Sequence, residues 1–506
     1  MPYNGSVPAK NLKMTRFLFL ALALPLASGA DLQSKIDELV SKAPALGNAF
    51  AGLQVVSLPS GRVLYERNQD RLFTPASNMK LFTTALALVK LGPQYRFKTQ
   101  IGSDTPIDAD GTLAGDLIFV GGGDPPLSGR EYPYQFHPGS QAGENYSFRA
   151  IEELADQLVA RGLKRIDGDI VGDDRRYVWE PHGEGWSAGD ALWEYGAPVS
   201  ALIVNDNSFG VTIRPAAHPR DLAHISLSPN LESFSIDNRV RTEAGGARKV
   251  SFDRSADGRQ LHISGVMPAG DEGMTELLAV GDPAVYAAEV LRDGLLRRGL
   301  AVRGNAVARH RFSDDAPDSA EATALSFVLA EKFSPPLSEI LRVLDKVSQN
   351  LHAEVMLREV GLVSGHSGSL KEGLLEMQDF LTGAGIVKEA YRFTDGSGLS
   401  RGTLVSPAAI TKLLVYMYQS TNRDLWMSLL PIAGVDGTLA TRFQNHPEAQ
   451  AIRAKTGSLS HVRAMSGYAD TPRYGGVAFS FLVNNFDAPT VEINRLLDQI
   501  GMALIE

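Results

Sequence analysis

Apolar residues along the chain recur with two different periods. Leu32 to Val40 has helical spacing. Gly52 to Arg67 alternates apolar with polar on either side of Pro59-Ser60-Gly61, which predicts two strands joined by a turn. From Met79 to Leu91 nearly every residue is apolar, behind a start marked by Thr74-Pro75-Ala76-Ser77, and this predicts a helix buried under a sheet. Between about Thr99 and Arg311 the texture changes to short strand-like runs: Leu117–Val120, Arg165–Val171, Gly210–Ile213 and Leu261–Val266. Turn-rich segments such as Gly121 to Pro126 separate them, and amphipathic helices are predicted at Ala150–Arg161 and Ala284–Arg298. Ser313–Ala322, rich in Asp, Ala and Ser, has the composition of a surface linker. Helical spacing returns with Ile340, Leu341, Leu344, Val347 and Leu351 on one face, and again from Pro407 to Ser420. Ile452–Thr456, Ala464–Ala469 and Val477–Val483 predict strands, and Val491–Ile505 a closing helix. The chain thus begins a helix-plus-sheet domain over residues 31–98 and resumes it over 330–506. Between them lies an α+β insert, 99–329, long enough for one large or two smaller domains. No repeat of fixed period interrupts this plan.

The first 30 residues stand apart. Arg16 precedes the apolar run Phe17 to Leu24, followed by Pro25 and the small residues Ala27-Ser28-Gly29-Ala30. That is the pattern of a secretory signal peptide over residues 1–30, cleaved after Ala30. The apolar run is short for a membrane span. Residues 1–13, ahead of Met14, are either a long basic leader or an over-extended start. No later stretch reaches 18 apolar residues, which predicts a soluble mature protein exported to the periplasm.

Composition narrows the classes further. A chain of 506 residues, 44% hydrophobic and 21% charged, is ordinary globular material for about three domains. Beyond residue 30 it carries 46 basic against 58 acidic groups, a net of −12, so it has no electrostatic footprint for nucleic acid. Cysteine is absent, which excludes disulfides, thiolate metal sites, a cysteine nucleophile and a lipidated N-terminal cysteine.

Among the lysines, only Lys80 follows a serine, Ser77, by three residues. On a helix these positions share a face, so Lys80 can reach the Ser77 hydroxyl and, with a pKa lowered by burial, take its proton. The helix start also offers backbone N–H groups to a developing oxyanion. Alone, S-x-x-K is a weak signal, equally a capping serine beside a solvated lysine. A second element, Lys455-Thr456-Gly457-Ser458 on a predicted strand, supplies a fixed charge, a hydroxyl for a carboxylate and a glycine that admits a close substrate backbone. A third is Ser348-Gln349-Asn350 at the end of an amphipathic helix; Ser228-Pro229-Asn230 and Ser420-Thr421-Asn422 match S-x-N too, but Ser348 lies in the returning helical part.

S-x-x-K, S-x-N and K-T-G in that order form the serine-nucleophile set of penicillin-binding proteins and β-lactamases. The strings Phe73 to Thr83, Asp395-Gly396-Ser397-Gly398-Leu399-Ser400-Arg401, Ala433 to Leu439, Ala454 to Leu459 and, in the insert, Gly115 to Pro125 closely resemble the D-alanyl-D-alanine carboxypeptidase/endopeptidase family of class C, the penicillin-binding protein 4 type. The resemblance covers nearly the whole mature chain. It implies an α/β transpeptidase (β-lactamase-like) domain with a large α+β insert between the S-x-x-K and S-x-N motifs. It implies a serine D,D-peptidase acting on peptidoglycan stem peptides, inhibited covalently by β-lactams, with no metal, cofactor or nucleotide. By the same resemblance Ser77 is the nucleophile, Lys80 its general base, and Ser348 passes a proton to the leaving group while Lys455 holds the local potential. Asn350 binds the substrate backbone, Thr456 its carboxylate, and the N–H groups of Ser77 and Ser458 form the oxyanion hole. Gln349 departs from the Asp or Ser common at that position.

Asp173 and Arg401 are expected to recognise the amino and carboxyl ends of a diaminopimelate side chain from opposite walls of the cleft, with Tyr177 close by. Gly398-Leu399-Ser400-Arg401-Gly402 matches a nucleophile elbow but lacks the preceding hydrophobic strand and immediate helix. His352 and His461 are read as wall or core residues, and Trp179, Trp186 and Trp193 as half-buried loop packing. Two rivals remain: a serine β-lactamase, disfavoured by the long insert, and a non-catalytic cell-wall binding protein, disfavoured by the complete motif set.

Overall fold

The computed structural model describes residues 28–138, 148–231, 234–255, 260–315, 324–365 and 367–506. The signal-peptide run therefore lies outside the described residues, as does most of the linker Ser313–Ala322. The first described helix, Ser28–Ser41, begins just ahead of the expected cleavage point.

A five-stranded antiparallel sheet organises the two ends of the chain, in the order Ile452–Leu459, Val462–Thr471, Gly475–Asn484, Phe50–Ser57, Val63–Arg67. Side chains alternate across it, as the pleat requires. Phe479, Phe481 and Val483 join Leu32, Ile36, Ile493 and Leu497 beneath the helices Ser28–Ser41 and Thr490–Ile505. Ala478 and Leu482 point the other way, into a core shared with Phe82, Leu86, Leu341, Met356, Leu414 and Trp426. That core belongs to the helices Met79–Lys90, Leu337–Val347, Asn350–Val363 and Pro407–Gln419. Ser466 and Ser480 are polar exceptions on this inner face, and both are used by the site.

The chain leaves this body along Lys98–Ser103 and returns along Phe327–Phe333, two antiparallel neighbours that pair Lys98 with Phe333 and Ser103 with Phe327. They edge a second five-stranded sheet completed by Leu117–Val120, Ile170–Asp173 and Ala306–Arg309, with its own core around Phe119, Leu154, Phe209 and Leu291. The whole is an α/β transpeptidase fold with an α+β insert.

Three details differ from the sequence pattern. Arg165–Val171 is two strands, Arg165–Ile166 and Ile170–Asp173, because Asp167-Gly168-Asp169 turns between them. His224–Ser228, Ser235–Glu243 and Lys249–Arg254 are further strands with few buried residues; the first and last do alternate, Ile225 and Leu227, Val250 and Phe252 facing one way, but the runs are short and polar. The apolar face from Ile340 to Leu351 is broken: one helix stops at Val347, Ser348 turns left-handed with φ +62°, and a new helix starts at Asn350.

Candidate active site

The Ser77 segment is fastened before its helix begins. Phe73 exchanges backbone hydrogen bonds with Val405, and the Asn484 side chain brackets Thr74, accepting from its N–H at 2.8 Å and donating to its carbonyl at 3.1 Å. A single turn, Ala76–Asn78, then runs straight into Met79–Lys90. Asn78 donates to Ser466 Oγ at 2.6 Å, and Ser466 is bonded to Ser480, so the polar inner-face positions hold the turn on the sheet. Ala76 sits at φ +48°, a sparsely populated conformation for alanine. A Cβ on Gly398 would come within 1.9 Å of the Ala76 carbonyl, so only glycine can close the site from that side. Ser77 is left half-exposed at the tip.

Lys80 points back along the first turn. Its Nζ lies 3.0 Å from Ser77 Oγ, and donates to Asn350 Oδ1 at 2.6 Å and to the Ser397 carbonyl at 2.8 Å. The side chain is fully buried. Desolvation, with the positive Lys455 adding to it, holds Lys80 well below the ordinary lysine range. Lys455 projects from the edge strand Ile452–Leu459 and donates to Ser348 Oγ at 2.7 Å and to the Thr456 carbonyl at 2.9 Å. Its pKa is also lowered by burial. The left-handed turn at Ser348 lets two consecutive helices deliver Ser348 and Asn350 to the same point. The structure therefore brings Ser77, Lys80, Ser348, Asn350 and Lys455 together from four separate elements.

Gly457 on the edge strand passes against the nucleophile turn: a Cβ there would lie 2.6 Å from the Pro75 carbonyl and 3.1 Å from Ser77 N. Beside it, Thr456 Oγ1 donates to Thr438 Oγ1 at 2.7 Å. Lys346 secures the neighbouring loop through Asp436 at 2.5 Å and the Leu430 carbonyl at 2.8 Å. These groups open on a cleft of about 750 Å3, lined also by Ser458 and Arg401. Arg401 donates to the Ser460 carbonyl at 3.0 Å and is otherwise exposed.

Asp173 is not in this cleft, contrary to the sequence expectation. It ends an inner strand of the insert, 1% exposed, and Arg175 clamps both its oxygens at 2.6–3.1 Å. Its charge is consumed by that ion pair. Tyr177 is likewise buried, donating to Glu359 at 2.6 Å. The acid that the insert does bring to the cleft is Asp190, beside Tyr195, whose carbonyl accepts from Asn350 Nδ2 at 2.7 Å. Both lie in a turn-rich run without periodicity, so only a fold could place them.

The other candidates fall into structural roles. Ser400 is fully buried, its N–H donating to Asp395 at 2.8 Å and its Oγ accepting from Thr394, which excludes the elbow. His352 is buried against Asp206, and His461 bonds the Phe486 carbonyl. Trp179 stacks on His310, Trp193 packs on Phe252, and Trp186 donates to Asp395.

Glu354, which the sequence did not single out, holds the loop that contacts Lys80. Its Oε1 accepts from the Gly396 and Ser397 N–H groups, both at 2.9 Å, and so presents the Ser397 carbonyl to Lys80. Its other oxygen faces the buried Arg358 at 3.2 Å. Glu354→Ala strands both the amides and the guanidinium in the interior. It is expected to cost about 3–5 kcal/mol in denaturant unfolding. A loss under 1 kcal/mol would show that the pair holds nothing together.

The fold and this cleft define a serine hydrolase of the transpeptidase type. A model of the D-Ala-D-Ala carboxypeptidase 3 (S13) family matches residues 32–501. The D-alanyl-D-alanine carboxypeptidase of Actinomadura sp. (strain R39) is 33% identical over 482 residues, covering 92% of this chain and 84% of that protein. DacB of Haemophilus influenzae, also a D-alanyl-D-alanine carboxypeptidase, is 26% identical, covering 90% and 89%. The crystal structure of penicillin-binding protein 4 from Haemophilus influenzae superposes with a TM-score of 0.77 at 25% identity, over 92% of this chain and 97% of that one. The chain belongs to the D-Ala-D-Ala carboxypeptidase 3 (S13) family and is a serine-type peptidase of peptidoglycan.

Proposed function

We propose that Ser77 is the nucleophile of this peptidase and Lys80 its base, with Ser348 and Lys455 serving the leaving group. The observation that carries the assignment is the environment of Lys80 Nζ. A neutral amine has two N–H groups and one lone pair. Asn350 Oδ1 and the Ser397 carbonyl can only accept, so they take both hydrogens. The lone pair is left for the Ser77 hydroxyl at 3.0 Å. In the reaction the Ser77 proton passes to Lys80 as Oγ bonds the carbonyl carbon of D-Ala–D-Ala. The oxyanion is held by the Ser77 and Ser458 N–H groups. Ser348 protonates the departing nitrogen while Lys455, which donates to its hydroxyl oxygen, replaces the proton Ser348 gives up, and the C–N bond breaks. D-Ala leaves, and water then hydrolyses the Ser77 ester. A D,D cross-link offers the same bond, so one site can serve carboxypeptidase and endopeptidase reactions. β-Lactams, which mimic the D-Ala–D-Ala amide, acylate the same oxygen; a crystal structure of the Haemophilus influenzae protein is described as a complex with a novel β-lactam.

The substrate lies along the edge strand as an added strand. Its terminal carboxylate meets Thr456 and the Lys455 charge, Gly457 gives its backbone room, and Asn350 binds its amide. Arg401 and Asp190 stand on the cleft walls and offer opposite charges to the carboxylate and ammonium of a diaminopimelate side chain. The N-terminal run led by Arg16 would export the enzyme to the periplasm, and among the described residues no helix is long and apolar enough to cross a membrane.

Hydrogen bonds to charged groups contribute about 1.5–3 kcal/mol, roughly 10- to 150-fold in rate when made in the transition state. Release of D-Ala from a D-Ala–D-Ala peptide is expected to slow by about that factor in kcat/KM when the terminal carboxylate is amidated. In Thr456→Val the difference between acid and amide should shrink. Equal turnover of both by the wild type would show that this strand reads no carboxylate.

A further inference from the structure

Asp345 lies in the last turn of the helix Leu337–Val347, three residues before Ser348. It is fully buried and forms no ion pair with another described residue. The Thr84 hydroxyl lies beside it and acts on it as a neutral hydrogen-bond donor. An unpaired interior carboxylate is costly and calls for a charge that compensates it. Burial pushes its pKa up to about 7, and three lysines oppose that and favour the carboxylate: Lys455 from the edge strand most strongly, then Lys80 from the helix that also carries Thr84, then Lys346 on its own helix. Lys346 is already paired with Asp436. Lys455 and Lys80 are buried, and each gives its hydrogen bonds to neutral groups: hydroxyls, carbonyls and an amide oxygen. Asp395 and Glu354 also face Lys80, but both are occupied: Asp395 by Ser400, Thr403 and Trp186, Glu354 by Arg358 and two amides.

We propose that Asp345 is a positioning residue for this chemistry, the shared counter-charge of Lys455 and Lys80 that keeps one of them protonated and leaves the other free to act as base. One ammonium, one amine and one carboxylate make a buried cluster with no net charge. Two lysines without Asp345 would carry at least one uncompensated charge whenever Lys455 is protonated. Lys455, which among the described residues makes hydrogen bonds to Ser348 and the Thr456 carbonyl alone, keeps the proton because Asp345 acts on it most directly. Lys80, held by Asn350 and Ser397, is the one that gives its proton up. The carboxylate raises the proton affinity of both lysines and so sets the pH range in which the pair is split. This inference rests on the assignment of Ser77 and Lys80 above.

The test is the pH profile of Ser77 acylation by a chromogenic penicillin, comparing wild type with Asp345→Asn. The rising limb reports loss of the Lys80 proton, and the falling limb loss of the Lys455 proton. Removing the carboxylate lowers both pKa values, so both midpoints are expected to move to lower pH, by about one unit for a nearby opposite charge. Asp345→Leu, which replaces the buried charge by an apolar side chain of similar volume, should give the same displacement and provides the reading if the asparagine variant does not fold. A rate reduced at every pH with both midpoints in place would make Asp345 a packing residue and overturn the proposal, as would a shift to higher pH. Ser77→Ala is the parallel control. If it is still acylated, the assignment of the nucleophile fails rather than the role of Asp345.

Discussion

Ser77→Ala is expected to abolish covalent labelling by penicillin and to reduce D-Ala release by roughly 10⁶-fold, the loss found when a serine nucleophile is removed from an otherwise intact hydrolase. The wild type should carry one label per chain, on the peptide that contains Ser77. The case is geometric. Ser77 is half-exposed at the head of the cleft, with a buried lysine 3.0 Å from its oxygen. Ser348 is bonded to the other lysine, and Ser400 is sealed inside. The fold should survive the substitution, because the turn is held by Asn78, Thr74 and the fit of Gly398 rather than by the Ser77 hydroxyl. Mass mapping of the label decides the matter. A label on Ser348 would exchange the roles of the two serines. Rapid release of penicilloic acid without a stable adduct would mean a site built to deacylate β-lactams.

The elements that carry the motifs were legible because each sits on a strong local pattern. Met79–Lys90 is mostly apolar behind a proline-marked start, and Ile452–Leu459 opens by alternating Ile452-Arg453-Ala454-Lys455 ahead of two apolar strand runs, so S-x-x-K and K-T-G could be put on a helix and a strand without a fold. The break at Ser348 was hidden, since Leu351 continues the apolar spacing of the preceding helix. Only the left-handed turn separates the two. The polar strands of the insert alternate only briefly, Ile225 with Leu227 and Val250 with Phe252, and bury too little to stand out from the surrounding turns. Asp173 was misplaced for a different reason. A Gly-Asp string at a strand end is compatible with a cleft or an interior, and the nearby Arg175 that decides between them gives no signal of distance in one dimension. Asp190, Glu354 and Asp345 share that limit. A buried carboxylate is recognised by what surrounds it, and its neighbours here come from segments far away along the chain.

The base assignment makes the second large prediction. Lys80 accepts a proton only when neutral, and an exposed lysine is almost fully charged at pH 7. Here burial is the main force lowering its pKa, and the positive Lys455 adds to it. Both favour the amine, while Asp395, Glu354 and Asp345 oppose them. Acylation by penicillin should therefore rise with pH as Lys80 deprotonates, with a midpoint well below that of free lysine, because the active form is the one that has lost its proton. Lys80→Arg keeps a cation in the cavity but removes the base, since guanidinium does not deprotonate in proteins. Acylation is then expected to fall by about 10²- to 10⁴-fold, the usual contribution of a positioned general base, and the rising limb should disappear. The two readouts separate chemistry from packing. A planar guanidinium fits poorly where Ser77, Asn350 and Ser397 converge on one nitrogen, so some loss of rate would follow from misfit alone. Misfit lowers the plateau but leaves the wild-type midpoint, whereas loss of the base removes the limb itself. A variant that acylates slowly on an unchanged pH profile would move the base to another group, and Lys455, already bonded to Ser348, would be the one to test.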